Sequence, residues 1–249
     1  MPGPQVARAL NEADVLALEI DPADPQAQQL PAAFPQVDVT PALQRRLDDA
    51  LQKACLPAGA LQGLPPIMQA LLLTVLQARW EGLEPAYAQE QALAAAARAR
   101  QQPVRSLETV AEQLRALDVG QGAKAQAAIE QALDQLDAPS TRAGLRKLAQ
   151  SWEEGDLQTL QGYAQWCACA DTAEDRAALR RLNDDRNPVL ARRIAALHQG
   201  GQRVFAAVGA LHMIGPRGLP RLLAARGFKV ERVPFAQAAP ARAQWSNSP

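Results

Sequence analysis

The sequence predicts an α/β protein that is mostly helical, with a small, largely parallel sheet, a βαβ unit at its carboxyl end and many helices wrapped around it. Short, nearly uncharged β-type runs such as Val204 to Val208 read as strands covered on both faces. Between them lie long stretches rich in alanine, leucine and glutamine with few aromatics, which favour helix. The end of the chain carries the pattern most compactly. After Val204–Val208 come Gly209, His212 and Gly215-Pro216, a helical stripe of Leu219, Leu222 and Leu223, then Gly227 at a C-cap position and a second strand at Phe228–Val233.

From the amino terminus, Val6 to Ala13 reads as a short helix and Asp14 to Ile20 as a strand, apolar until Glu19 and stopped by Asp21-Pro22. Pro22 to Val39 has no period and reads as a loop. Thr40-Pro41 opens a helix through Ala54 with Leu43, Leu47 and Leu51 on one stripe. Pro66 to Trp80 is apolar almost all round, the mark of a helix buried in the core or under another helix. A helix from Tyr87 to Gln101 precedes a strand at Val104–Leu107, and Thr109 with Glu112 forms a capping box for the next helix. From Gln121 to Asn183 the pattern is helical, broken at Ala138-Pro139, around Gly155-Asp156 and near Asp171. Asp156 reads as a cap there, and Leu145, Leu148, Leu157, Leu160 and Trp166 read as core-facing. Asn187-Pro188 reads as the N-cap of a helix from Val189 to His198, ended by Gly200-Gly201. Residues 1–235 form one domain on this reading, with a helical insertion at about 121–183, and 236–249 form a mobile tail.

Composition removes several classes of function. Lysine plus arginine and aspartate plus glutamate number 26 each in 249 residues, so no net field recruits nucleic acid or an anionic membrane. The longest apolar segment, Ile67 to Leu76, is too short to span a bilayer. No signal peptide is visible, and the localisation stays open. The three cysteines, Cys55, Cys167 and Cys169, form no zinc pattern. They are expected as buried thiols, with one bridge from Cys55 to Cys167 or Cys169 as the alternative.

The candidate site residues stand at carboxyl ends of strands, the edge where open α/β folds bind ligands. His212, in a glycine-rich loop, is either a ligand or catalytic group or a solvated capping histidine. Glu19 is either a loop carboxylate or a site residue facing the same edge. Glu108 divides the same way, its plain role being a carboxylate near a helix amino terminus. Arg186 reads as a surface charge on spacing alone, and His198 reads as a surface residue.

The segment from Gly209 to Leu219, with Leu222-Leu223, Arg226-Gly227-Phe228 and Val230, resembles the carboxyl-terminal Gly-x-x-His motif of the TraB/GumN family. That family is related to the Tiki metalloproteases and, more distantly, to the erythromycin-esterase and ChaN-like folds. The resemblance extends to Ala17-Leu18-Glu19-Ile20-Asp21, to Leu107-Glu108-Thr109 and to the Arg186-Asn187 pair. The helix before Leu107 departs from it, with Ala88 and Glu90 where the family often carries Gly-x-Asp. The resemblance implies Glu19, Arg186 and Asn187 as catalytic residues, His212 and Glu19 as ligands of a divalent transition metal ion, and Glu108, Gly209 and Gly215 as supporting residues. It also implies a first Gly-x-x-His motif, but this sequence has no histidine before His198, so its amino terminus reads as truncated and export stays open.

Two classes of function follow from the resemblance. One is a metal-dependent, peptidase-like hydrolase, inactive as it stands if a third ligand is missing. The other is a non-catalytic module that holds a peptide or pheromone in the same cleft. Either way the expected partner is a peptide or protein, with no nucleic acid and no membrane span in this chain. No glycosidase carboxylate pair can be placed from spacing, and glycoside hydrolysis is not expected.

Overall fold

A computed structural model describes residues 3–25, 37–118 and 120–234. Most of the loop expected at Pro22–Val39 and the tail expected at 236–249 lie outside the described residues. Three parallel strands form the sheet, in the order β2-β1-β3: β1 (Val15–Leu18), β2 (Val104–Ser106) and β3 (Val204–Ala207). In register, Leu16 faces Val104 on one side and Phe205 on the other. The helices, in chain order, are α1 (Pro4–Glu12), α2 (Pro41–Lys53), α3 (Pro66–Leu76), α4 (Gln89–Ala99), α5 (Val110–Leu117), α6 (Gly122–Asp137), α7 (Pro139–Glu153), α8 (Leu157–Gln161), α9 (Tyr163–Trp166), α10 (Ala173–Leu182), α11 (Asn187–Gln199) and α12 (Leu219–Ala224). The mostly helical α/β class is therefore the one observed.

β1 is central because all four of its side chains are apolar and can be covered from both faces; each is fully buried. Leu16 and Leu18 pack with Leu10 of α1 and Leu93, Ala94 and Ala97 of α4. Ala17, on the opposite face, packs with Leu190, Ala191 and Ile194 of α11 and Leu219 of α12. The sheet is thus the middle of three layers. A further core lies among helices alone, where Leu43, Leu47 and Leu51 of α2 meet Ile67 and Leu73 of α3 and Ile129 and Leu133 of α6.

Local signals placed most helix starts. The Thr40 hydroxyl accepts from Leu43 N–H, Thr109 and Glu112 close a reciprocal capping box, and Asp156 caps α8. Four expectations are corrected. Phe228–Val233 pairs with no strand: Phe228 N–H is held by the Leu223 carbonyl at the end of α12, its ring lies 5.2 Å from that of His198, and Val230 and Val233 face solvent. Without cover for those valines there is nothing to gain from a fourth strand, and β3 remains an edge. The helix expected at Pro66–Trp80 is neither continuous nor buried all round. It turns 3₁₀ at Gln77–Glu81, and Val75 and Trp80 are about half exposed, because α2 and α6 cover only part of its circumference.

The third correction is the N-cap of α11, which is Arg186; Asn187 occupies the first helical position and turns its amide elsewhere. The fourth concerns the cysteines. Cys167 and Cys169 are bonded to each other, and Cys55 is an exposed free thiol. The bridged pair closes a loop beside Leu145, Leu148 and Trp166, which line a cleft rather than a closed core.

Candidate functional site

Parallel pairing continues one step beyond the strands: Leu107 N–H donates to Leu18 O at 2.7 Å and Glu108 N–H to Glu19 O at 2.8 Å. That register sets two carboxylates side by side at the carboxyl edge of the sheet. From the third strand the loop enters at the same edge, with Gly209 followed by a 3₁₀ turn at Ala210–Met213 that carries His212. Gly209 N–H donates to Glu19 Oε1 at 2.7 Å. A Cβ there would sit 3.4 Å from that oxygen and 3.6 Å from the His212 ring, so glycine gives the backbone its close approach.

Arg186, at the start of α11, binds both carboxylates. Its Nη2 donates to Glu19 Oε2 at 2.6 Å, its Nε lies 3.1 Å from both oxygens of Glu108, Nη2 also reaches Glu108 Oε2, and Nη1 donates to Leu182 O at 2.8 Å. Its side chain is only 14% exposed and that of Glu108 only 3%, so this is a desolvated cluster in which the guanidinium offsets two nearby negative charges. Gln113 of α5, a residue the sequence reading did not single out, reaches both Glu19 and Glu108 at 3.4 Å. Its signal was its place in the first turns of the helix after β2, at the ligand-facing edge.

His212 is buried, and its Nδ1 lies 2.7 Å from Asn187 Oδ1. Asn187 is fully buried and spends its amide N–H on Arg217 O at 2.9 Å, so its oxygen faces the ring as an acceptor. The histidine proton therefore sits on Nδ1, and the Nε2 lone pair faces Glu19 Oε2 at 3.7 Å. Burial lowers the His212 pKa against the opposing pull of Glu19, which keeps the ring neutral. For Glu19 burial acts the other way, towards protonation, but the Gly209 N–H and Arg186 outweigh it and hold the carboxyl below its ordinary value.

Glu19, Glu108, Arg186, Asn187, Gly209 and His212 are thus brought together. Gly215 is a turn residue, with φ +75° and its carbonyl accepting from Gly218 N–H. Asn187 positions the histidine, and most of the Arg186 N–H groups are committed to protein oxygens. Beside the cluster, Arg193 donates to Leu107 O and holds Glu112, pushed down to about 2 by that guanidinium, in place over the end of β2.

Neutral His212 makes acid sensitivity an expected outcome. Its folded pKa lies below the ordinary 6.5, so between the two values the unfolded chain binds more protons, and stability falls as pH drops below about 6.5. Urea unfolding at pH 5 and pH 7.5 should show this loss in the native chain and a smaller one in His212→Gln.

A metal ion would find two donors of suitable chemistry here, the free Nε2 of His212 and the ionised Glu19. Both Glu108 oxygens are held by Arg186. Among the described residues no group of three or more histidine, cysteine, aspartate or glutamate side chains is placed to hold an ion.

These features define an α/β protein whose candidate site lies at the carboxyl edge of a parallel sheet, built from a histidine loop, two carboxylates and a bridging arginine. The chain belongs to the TraB/PrgY/gumN family, whose family model matches residues 2–232. No curated protein and no solved structure matches it. No helix among the described residues is long and apolar enough to cross a membrane.

Proposed function

We propose that the chain carries part of the metal site of a metal-dependent, peptidase-like hydrolase, with His212 and Glu19 as two of its ligands. The observation that carries this reading is the Asn187–His212 hydrogen bond, which fixes the imidazole with its Nε2 free and facing an ionised carboxylate 3.7 Å away. A histidine that donates its other ring N–H to a fixed oxygen is the usual arrangement of a metal ligand. A bound divalent transition metal would polarise a peptide carbonyl and acidify a water. The protein's own share is to keep His212 in one tautomer, keep Glu19 charged through Arg186 and Gly209, and exclude solvent with α11 and the His212 loop. Arg186 and Asn187 act here as positioning residues, and the substrate is a peptide or protein.

One observation favours a second reading for a chain without a third ligand. Arg186 already binds both Glu19 and Glu108, so the cluster is held together by the protein's own groups and can serve a module that holds a peptide without cutting it. Metal content after dialysis, measured with peptide cleavage, separates the readings. The 249-residue chain is expected to bind divalent transition metal weakly and cleave little. Supplying an upstream Gly-x-x-His segment should produce tight binding and cleavage, and His212→Ala in that longer form should abolish both. A stoichiometric metal in the 249-residue chain, with cleavage that His212→Ala leaves unchanged, overturns the assignment. Tight peptide binding by the longer form without metal or cleavage establishes the second reading.

A further inference from the structure

We propose that the Cys167–Cys169 disulfide is a thiol–disulfide exchange site that oxidises peptide dithiols. It rests on no part of the hydrolase reading and lies in a different region, between α9 and α10. The bond joins cysteines only two positions apart. A disulfide stabilises a fold chiefly by closing a long loop in the unfolded chain, and a loop this short leaves it little structural work.

The surroundings suit exchange. Both cysteines are half-buried and Ala168 between them is exposed, so a thiolate in solution can approach the pair. The pair lines a cleft of about 400 Å³ with Tyr163, Trp166, Leu145 and Leu148, apolar surface on which a peptide's side chains can rest. Cys169 N–H donates to Cys167 Sγ at 3.1 Å, so charge arriving on that sulfur meets a donor, which makes Cys167 the leaving thiolate. Ala168 sits at φ +51°, a left-handed conformation that a residue with a Cβ adopts at a cost. Opening the ring releases it, so the conformation favours the reduced form and makes the pair oxidising. Beyond the loop, Arg176 donates to the carbonyls of Ala170 and Asp171, and opening stays local.

The step balances without a further cofactor. A substrate thiolate attacks Cys169 Sγ, the Cys167–Cys169 bond breaks, and Cys167 leaves as a thiolate that takes up a proton. The substrate's second thiolate then attacks its own sulfur in the mixed disulfide, and Cys169 leaves and is protonated. The peptide dithiol has become a disulfide, and Cys167 and Cys169 have become thiols. Oxidised glutathione can restore the pair.

The test uses the full chain with the exposed thiol removed by Cys55→Ser. The protein is equilibrated across reduced-to-oxidised glutathione ratios, with free thiols counted by alkylation and mass and folding followed by circular dichroism. Oxidation of a reduced two-cysteine peptide by oxidised glutathione is followed alongside. We expect reversible reduction of the pair in the folded protein, faster peptide oxidation than with buffer alone, and loss of that rate in Cys169→Ser. Ala168→Gly should make the pair about fivefold harder to reduce, because glycine adopts the left-handed conformation freely. A pair that stays oxidised at every ratio, or a Cys169→Ser rate equal to that of the parent, overturns the proposal.

Discussion

Replacing Arg186 with alanine is expected to cost about 3–5 kcal/mol of folding stability at pH 7, because it leaves two desolvated carboxylates facing each other without their shared cation. The side chains of Glu19 and Glu108 are 21% and 3% exposed, so solvent screens the loss weakly. Arg186→Lys should recover only part of it, since an ammonium is a point charge and cannot match the planar fork that reaches both carboxylates and the Leu182 carbonyl. The sign with pH follows from Glu19. Its folded pKa lies below the ordinary 4.5, so its contribution is complete above that value and is lost as pH falls through the lower folded one. Urea unfolding of the native chain and the variant should therefore differ most near neutrality and converge in acid. A difference under about 1 kcal/mol at pH 7 would show that the cluster does not behave as a desolvated ion pair.

Asn187→Ala should remove about 2–4 kcal/mol, since it deletes two buried hydrogen bonds and leaves His212 Nδ1 and the Arg217 carbonyl without those partners. It should also separate stability from ligation. Without the acceptor on Nδ1 the ring is free to turn and to move its proton to Nε2, and divalent metal affinity should fall 10- to 100-fold in a form that binds metal, the usual size for loss of such a partner. Cobalt or zinc titration of the folded variant, at a temperature below its unfolding, reads the second effect apart from the first. Unchanged affinity would mean that the Asn187 contact is only structural.

Legibility followed the range of the interactions. The β1 run, the capping box at Thr109 and Glu112, and the Gly209–His212 loop were readable because each depends on a few neighbouring residues. Strand ends put Glu19, Glu108 and His212 at one edge once the sheet is parallel, and that much of the candidate site could be placed from the chain alone. Gln113 left only the weaker signal of its place in the first turns of the helix after β2, because its two contacts depend on how closely α5 approaches the end of β2. The end of the chain misled for the opposite reason: Phe228–Val233 has the composition of a strand, but whether it pairs depends on what covers Val230 and Val233.

By itself the sequence determined the α/β class, most helix starts, the central buried strand and the identity of the residues at the sheet edge, since these rest on periodicity, capping and proline or glycine stops. Only the tertiary structure decided the partners. Arg186 meets Glu19 across 167 positions and Glu108 across 78, and Asn187 leaves the capping role its local sequence suggests to hold His212, 25 positions away. Those pairings follow from α11 packing on Ala17 and Leu107, which brings its amino terminus to the ends of β1 and β2. A guanidinium and an amide buried there must then find their oxygens among whatever the fold has placed within reach.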